Sequence, residues 1–278
     1  MVDVLVVVGV GGMGEAIARR LGAGKQVVLA DFDQAALDRV AAALRGDGFD
    51  IHAEWVDVSA KESVIALATA AARLGPVRQV AHTAGLSPVQ APTAAILNVD
   101  LAGVAYSLDA FGAVIADGGA GVVIASMAGT MAAGQFPAEI EAALATTPSD
   151  ELLALPFLQE GAIANQGAAY GIAKRANQLR VQAASLAWGS RGARVNSISP
   201  GVISTPMGQS ELAGESGAYM RMLVDGSATK RLGTPSDIAE ATAFLLGSSS
   251  SFITGTDLLI DGGVIAAIRS GAVQLLTP

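Results

Sequence analysis

Short apolar runs rich in valine and isoleucine alternate along the chain with longer stretches rich in alanine and leucine. Seven runs have the length and composition of strands: Val4–Val8, Gln26–Ala30, Ile51–Val56, Val77–His82, Gly121–Ala125, Arg194–Ser199 and Asp257–Ile260. Continuous apolar strands are typical of a parallel sheet covered on both faces, and the helical lengths between them imply right-handed crossovers. The sequence therefore predicts an α/β fold, a doubly wound parallel β-sheet of about seven strands with helices on both faces.

The composition favours a single domain over residues 1–278. The chain is 51% hydrophobic and 15% charged, and no linker, charge run or repeat marks a boundary.

A net charge of −8 offers no basic surface for nucleic acid or an anionic membrane, and the absence of cysteine excludes disulfides and thiolate chemistry. Gly118–Ala138 is uncharged but holds five glycines and a proline, which argues against a membrane span. With no basic segment ahead of the first strand, we expect a cytoplasmic protein.

A glycine-rich loop follows the first predicted strand. It reads Gly9-Val10-Gly11-Gly12-Met13-Gly14, matches G-x-G-x-x-G, and leads directly into a helical stretch, Glu15–Leu21. Glycines permit a tight turn and let the backbone approach a pyrophosphate, which rests on free N–H groups at the helix N-terminus. The loop therefore predicts a Rossmann-like dinucleotide site. Its predicted contacts are Gly9, Gly11, Gly12, Met13 and Gly14.

Acidic residues follow the second and third predicted strands. Asp31 can accept hydrogen bonds from both hydroxyls of the adenosine ribose and would repel a 2′-phosphate, so we expect NAD(H) rather than NADP(H), with Phe32 in the same site. The alternative is that Asp31 only caps the next helix, a role for which Asp33 is better placed. Asp57-Val58 can place a carboxylate and an apolar face against the adenine, or Asp57 can cap together with Ser59. No metal site is predicted.

Tyr170 and Lys174 lie four residues apart on a predicted helix and are therefore neighbours on one of its faces. A lysine in this place lowers the pKa of a phenol from its reference value near ~10, because it favours the phenolate. The tyrosine can then act as an acid or base nearer neutrality. The pair alone is weak evidence, since any alanine-rich helix can carry it. His52 and His82 are isolated, and we expect them to be structural or exposed.

Several motifs occur in the order of one enzyme family. They are the glycine loop, Asp31, Asp57-Val58, Ala84-Gly85, Ser126, Tyr170-x-x-x-Lys174, Pro200-Gly201, Ile253-Thr254-Gly255 and Asp261-Gly262-Gly263. Over nearly its whole length the chain resembles a short-chain dehydrogenase/reductase. Within that family it looks most like the bacterial 3α-hydroxysteroid dehydrogenase/carbonyl reductase group. The features shared with that group are the short glycine loop, Ala84-Gly85-Leu86, Ala187-Trp188-Gly189, the long stretch before the tyrosine and Ile268-Arg269.

The resemblance implies an activity and the residues that perform it. Tyr170 would exchange a proton with the substrate oxygen, and Lys174 would hold the nicotinamide ribose and depress the tyrosine pKa. Ser126 would hydrogen-bond the same oxygen, unless it only closes a turn at the end of its strand. The implied reaction is the NAD(H)-dependent interconversion of a hydrophobic secondary alcohol and its ketone, with cyclic and steroid-like compounds as candidates. The remaining implied cofactor contacts are Thr83, Ala84, Gly85, Pro200, Gly201, Ile203 and Thr205.

Three positions depart from the family's pattern. The glycine loop is one residue shorter than usual, with Val8 before it, but keeps its glycines. Thr83 stands where the family has an asparagine that ties strands together, and its hydroxyl can take over that role. Asp100 stands in the place of the asparagine that completes the proton relay, which adds it to the catalytic candidates. Its carboxylate should lie near Lys174 and raise the lysine pKa.

The segment 129–166 is a predicted insertion before the catalytic tyrosine. It contains two candidate short helices, Ala138–Ala145 and Ser149–Leu155, and nine apolar residues. These residues can form a lid or wall for a hydrophobic substrate, pack against a neighbouring subunit, or only pack within the chain; we favour a mixed role. A second candidate mobile segment is Met207–Thr229, which carries Met207, Met220 and Met222. The apolar residues of the insertion are Met131, Phe136, Ile140, Leu144, Leu152, Leu153, Leu155, Phe157 and Leu158.

The resemblance also implies a homo-oligomer, a tetramer or dimer built on the helices around Ile96–Ile115 and Ala168–Ala187, one face of which the insertion could block. The alternative to an enzyme is a non-catalytic NAD(H)-binding sensor or scaffold with the same fold, which Asp100 and Thr83 motivate.

Overall fold

In the computed structural model, which describes residues 2–89 and 91–273, one seven-stranded sheet forms the centre of the fold. Every strand pairs in parallel with its neighbours, in the order β3-β2-β1-β4-β5-β6-β7. The strands are β1 Val4–Val8, β2 Gln26–Asp31, β3 Asp50–Trp55, β4 Val77–His82, β5 Ile115–Ile124, β6 Arg194–Pro200 and β7 Asp257–Ile260. The predicted fold class is confirmed, including its single domain.

Helices connect the strands and cover both faces of the sheet. They are α1 Gly12–Leu21, α2 Gln34–Gly46, α3 Lys61–Leu74, α4 Thr93–Ile96, α5 Gly103–Val114, α6 Met127–Ala132, α7 Ala138–Thr146, α8 Gln166–Gly189, α9 Pro206–Ala213, α10 Gly217–Gly226, α11 Pro235–Leu246 and α12 Val264–Arg269. A π-helical stretch, Leu97–Ala102, joins α4 to α5. Three 3₁₀ turns lie at Leu152–Ala154, Pro156–Leu158 and Ser248–Ser250.

The core consists of two main layers, one on each face of the sheet. On one face β1, β2 and β4 pack against α3, α5 and α8; on the other, β1 and β2 pack against α1 and α2. Strand β1 is completely buried because both of its faces are covered, which explains its unbroken apolar sequence. This burial fixes the glycine loop that follows the strand.

Helix segment Thr93–Val114 has the length and apolar composition of a membrane span, but 61% of its most apolar window is buried inside the fold. Its α5 part packs against α3, α8 and the sheet, as in the core helix of an α/β domain.

Two predicted elements differ from the structure. Strand β5 begins at Ile115, not at Gly121, and its pairing with β4 shifts register between Val77 and Gln79. The glycines near its start, which indicate a turn in the sequence, lie in this irregular part of the strand. In the insertion, the second predicted helix, Ser149–Leu155, is only a 3₁₀ turn. Leu155 has extended dihedrals because the following proline disfavours the helical conformation.

Candidate active site

Two connected cavities lie where the loops after β1, β4, β5 and β6 meet at the C-terminal edge of the sheet. This is where the strand order reverses between β1 and β4, the usual ligand crevice of a doubly wound sheet. The larger cavity measures about 540 Å³ and the smaller about 110 Å³. Both are lined by Met13, Thr83, Gly85, Leu86, Thr205 and Met207. A ligand in the larger cavity can therefore extend into the smaller one.

The glycine loop forms one wall of the larger cavity. Gly9 has φ of +94°, a conformation that disfavours other residues, and a Cβ there would lie 2.5 Å from the backbone nitrogen of Ala84. A Cβ on Gly14 would lie 1.9 Å from the carbonyl oxygen of Gly9. The Thr83 hydroxyl donates to that same carbonyl at 2.7 Å, so it ties the end of β4 to the loop after β1. These contacts require glycine at both positions.

The acidic residues after β2 and β3 also line the larger cavity. Asp31 holds the loop in place, since its Oδ2 accepts from the Val10 N–H at 2.7 Å and its Oδ1 from the Asp33 N–H at 2.9 Å. Asp33, and not Asp31, caps α2. Asp57 accepts from the backbone N–H and the hydroxyl of Ser59 at 2.9 and 2.6 Å, so the turn role considered for it is real.

The larger cavity fits a dinucleotide. Gly11 is the N-cap residue of α1 and no side chain caps this helix, which leaves N–H groups of its first turn for an anion. A Cβ on Gly11 would meet nothing within 4 Å, so the space over the loop is open. Asp31 lines this cavity, and Tyr170 and Lys174 line the adjoining one. The chain thus has an anion site between a carboxylate and a proton-transfer group.

A buried ion pair lies beneath the smaller cavity. The Nζ atom of Lys174 is 3.1 Å from Oδ2 of Asp100, and these side chains are 5% and 0% exposed. The same Nζ donates to the carbonyl of Ile124 at 3.3 Å and lies 5.4 Å from the ring centroid of Tyr170. A Cβ on Gly85 would come within 3.3 Å of Nζ, so the chain passes closely over the pair. The charge expected beside Lys174 is therefore in direct contact with it.

The backbone around Asp100 explains how its carboxylate reaches the lysine. Asp100 lies in the π-helical stretch Leu97–Ala102, and irregular turns of this kind are often found at functional sites. Its Oδ1 accepts from the Leu86 N–H at 2.7 Å, which fixes the carboxylate between the loop after β4 and helix α8. Asn98, two residues earlier, instead donates to the carbonyl of Ala94 on its own helix.

Ser126 has two roles at the end of β5. Its hydroxyl accepts from the Ala128 N–H at 3.1 Å and caps α6, so the turn alternative is correct as far as it goes. The side chain also lines the smaller cavity together with Tyr170, and it acts to lower the Tyr170 pKa. The cap fixes the hydroxyl beside the tyrosine, where a substrate oxygen would have to bind.

The electrostatics of the pair differ from the sequence-based expectation. Burial raises the pKa of Tyr170 above its ordinary value; the Lys174 charge lowers it, but Asp100 and Glu211 act with burial to raise it. Lys174 lowers the Tyr170 pKa in the predicted direction, but burial and the two carboxylates outweigh it, so the pKa is raised overall. The prediction for the lysine is correct in direction, since Asp100 raises the Lys174 pKa against the effect of burial.

The structure brings the predicted site residues together. Around the larger cavity lie Gly9, Gly11, Gly12, Met13, Gly14, Asp31, Phe32, Asp57, Val58, Thr83, Ala84 and Gly85. Around the smaller one lie Ser126, Tyr170, Lys174, Pro200, Gly201, Ile203 and Thr205. Asp100 lines neither cavity; it lies behind Lys174, which lines the smaller one.

Sequence reasoning missed several lining residues: Leu86, Val99, Val202, Pro206, Gly208 and Glu211. Leu86 follows Ala84-Gly85, Val99 precedes Asp100, and Val202 and Pro206 flank the predicted contacts Ile203 and Thr205. Gly208 and Glu211 lie in the second candidate mobile segment, Met207–Thr229.

The insertion is not a wall of the site. No lining residue of either cavity belongs to 129–166. Leu144, Leu152 and Leu158 are instead buried against Ile96 and the alanine-rich face of α8. Seven of the nine apolar residues named for the insertion belong to this cluster, which favours packing over a wall of the substrate site. Contact with a neighbouring subunit stays a prediction.

Two arginines of α8 strengthen the attachment of the insertion. Arg175 pairs with Glu141 at 2.8 Å, and buried Arg180 donates to the carbonyls of Leu144 and Thr147 at 3.1 and 2.9 Å. The insertion covers part of the two helices on which an oligomer was expected.

In the second candidate mobile segment, Met207–Thr229, Met207 lines both cavities and Met220 lines the smaller one. Met222 instead packs beside the buried Val264 and Ile265.

Buried His82 lines neither cavity, in agreement with a structural role.

Known proteins resemble this chain over nearly its whole length. Residues 3–138 match a family model described as short chain dehydrogenase, and residues 138–265 match one described as Enoyl-(Acyl carrier protein) reductase. The short-chain dehydrogenase/reductase bsc3 of Alternaria brassicicola is 45% identical over 262 residues, 94% of this chain and 95% of the relative. Levodione reductase has the same fold, with a TM-score of 0.74 at 23% identity over 95% of this chain and 98% of its own.

The 3-alpha-hydroxysteroid dehydrogenase/carbonyl reductase of Comamonas testosteroni is 31% identical over 193 residues, 67% of this chain and 72% of the relative. It is more distant than the Alternaria protein, so the family is established while the bacterial subgroup is not. The glycine loop, the cavity pair and these relatives agree. The chain belongs to the short-chain dehydrogenase/reductase family.

Proposed function

We propose that the protein is an NAD(H)-dependent oxidoreductase that interconverts a hydrophobic secondary alcohol and its ketone, with Tyr170 as the acid/base. The observation that carries this proposal is the meeting of Ser126, Tyr170 and Lys174 in one cavity that continues into a dinucleotide-sized space. Relatives named as short-chain dehydrogenases and reductases support the general activity.

The bound dinucleotide supplies the hydride chemistry, and the protein supplies position and proton transfer. The Tyr170 phenolate takes the proton from the alcohol oxygen in oxidation, and the Tyr170 hydroxyl gives its proton to the ketone oxygen in reduction. Ser126 donates to the same oxygen and orients it. Lys174, held by Asp100, keeps a positive charge beside the phenolate and stabilises it once it forms.

Two further features support the cofactor and substrate class. The Asp31 carboxylate lines the larger cavity and is fixed by two backbone N–H groups, and a fixed negative charge there disfavours a 2′-phosphate. Apolar side chains dominate the smaller cavity, among them Leu86, Val202, Met207 and Met220. A hydrophobic alcohol would bury these groups on binding.

The test compares Tyr170→Phe with Tyr106→Phe. Purified proteins are assayed at 340 nm for NADH formation with a panel of cyclic and acyclic secondary alcohols, using NAD⁺ and NADP⁺ in parallel. Tyr170→Phe should lose about 10²- to 10⁴-fold in kcat while retaining NADH binding by calorimetry. Tyr106, which lies in a separate groove between α3 and α5, provides the matched control and should retain activity. Full activity in Tyr170→Phe, or a preference for NADP⁺, would contradict the proposal, and NADH binding without any turnover would favour the sensor alternative.

We also propose a cytoplasmic homo-oligomer without nucleic-acid or membrane partners, in line with the acidic charge balance. Because the insertion covers part of α8, the dimer contact should use another face. Light scattering of the purified protein measures the assembly, and a strict monomer would contradict this part.

A further inference from the structure

Glu211 is the one acidic residue among the described residues that line the smaller cavity. It lies on α9, whereas the proton-transfer residues lie on α8, and it is partly exposed. Two other polar groups of the cavity have partners: Thr205 caps α9, and Lys174 pairs with Asp100. Glu211 acts on the proton-transfer residues only through its charge, which raises the Tyr170 pKa. Burying its carboxylate against a hydrophobic substrate would cost free energy unless a donor meets it.

The orientation of this carboxylate is fixed by Ser87. The Ser87 hydroxyl accepts from the Val89 N–H at 3.3 Å and donates its own proton to Oε1 of Glu211. Ser87 is buried, which restricts this contact to a single geometry. Within the described part of the chain no group donates to Oε2, and this oxygen is free to accept a hydrogen bond from a ligand.

The Glu211 carboxylate lies close enough to Tyr170 to affect its pKa, and both side chains border the same small space. A substrate whose reacting oxygen lies at Tyr170 therefore has its other end near Glu211. A neutral hydroxyl suits this place better than an ammonium group, because a cation would lose its hydration in an apolar cavity next to Lys174.

We propose that Glu211 is a specificity-determining residue that selects alcohols bearing a second hydroxyl group, which donates to its free carboxylate oxygen. This inference rests on the proposed alcohol oxidation and names the substrate class of the same site. The expected preference is about 10- to 100-fold in kcat/KM, the effect of one hydrogen bond to a charged group.

The experiment compares cyclohexanol with the 1,2-, 1,3- and 1,4-cyclohexanediols as substrates with NAD⁺. Wild type should prefer at least one diol by about tenfold or more, and Glu211→Leu should bring that ratio to within about threefold of unity. The lost preference should appear mainly in KM, because the second hydroxyl is bound equally in the ground and transition states. Glu211→Gln retains an acceptor without the charge, so its preference for the diol should lie between those of wild type and Glu211→Leu. Glu215→Gln is the matched control, since Glu215 is exposed and lines neither cavity; it should leave the ratio unchanged.

The outcomes separate the two proposals. If cyclohexanol is oxidised but no diol is preferred, or if Glu211→Leu retains the preference, the assignment of Glu211 is overturned while the alcohol dehydrogenase stands. If neither cyclohexanol nor any diol is oxidised and the broader alcohol panel is also inert, the alcohol oxidation itself fails, and the role of Glu211 fails with it.

Discussion

Replacing Asp100 by asparagine tests whether the buried ion pair stabilises the protein. The Nζ–Oδ2 distance of 3.1 Å gives an attraction of about 5 kcal/mol at an effective dielectric constant near 20, before desolvation is counted. Removing one member of a buried pair costs about 3–5 kcal/mol, because the other charge is left uncompensated. Asparagine retains an acceptor for the Leu86 N–H, and Lys174 retains the Ile124 carbonyl. We therefore expect a loss of about 3 kcal/mol.

Urea unfolding of the cofactor-free protein measures this loss, with Asp109→Asn as the matched control. Asp109 is exposed on the neighbouring helix, so its replacement should change the free energy of unfolding by less than about 0.5 kcal/mol. Asp100 raises the Lys174 pKa above its ordinary value, whereas burial raises the pKa of Asp100 itself and so offsets part of the gain from the pair. The stability from that shift is full below the unfolded pKa of lysine and is lost only as the pH rises through the raised folded pKa. The loss of unfolding free energy in Asp100→Asn should therefore be constant from pH 7 to 9. A loss below about 1 kcal/mol, or one that disappears by pH 9, would refute this reasoning.

The same substitution has a kinetic consequence of predictable sign. Asp100 is one of the groups that raise the Tyr170 pKa. Its neutralisation lowers that pKa, and the pH dependence of alcohol oxidation should shift to lower pH. A shift in the opposite direction would show that Asp100 acts on the tyrosine in another way.

Two further predictions concern the glycine loop and a buried histidine. Gly14→Ala should strongly lower the free energy of unfolding of the cofactor-free protein in urea, because the new Cβ would meet the Gly9 carbonyl. Gly11→Ala is the control and should be tolerated, because its Cβ would meet open space. Equal losses of stability in the two variants would contradict this geometry. Burial lowers the His82 pKa to about 3. The stability from this shift is present above the unfolded pKa near 6.5 and is lost as the pH falls below it, by roughly 2–3 kcal/mol at pH 4.5. His82→Leu should remove that acid-dependent loss, and an unchanged loss between pH 7 and pH 4.5 would show that another group causes it.

The fold could be predicted because its signals are local. Each buried strand is a run of apolar residues, and the glycine loop requires glycine at Gly9 and Gly14 for reasons of backbone contact. The start of β5 was missed because its register shift against β4 depends on pairing with another strand. The end of the second insertion helix depends on Leu155, where the effect of the next proline overrides an apolar pattern.

The site was predicted only as far as its motifs extend. Tyr170 and Lys174 are neighbours by helical spacing, but the sign of the net pKa shift of the tyrosine depends on burial and on carboxylates distant in sequence. Asp100 could be placed near the lysine from the family's pattern, whereas its contact with Leu86 depends on the π-helical turn. Glu211 is one carboxylate among many on helices, and only the contact with Ser87 across 124 residues distinguishes it.

The packing of the insertion affects how the active site responds to dilution. Helix α8 carries Tyr170 and Lys174, and its apolar face is covered by residues of the same chain, fixed by Arg175 and Arg180. A contact within one chain has no concentration dependence, in contrast to a contact between subunits. The support of the catalytic helix on this side is therefore the same in a single copy at nanomolar concentration as in an assembled protein.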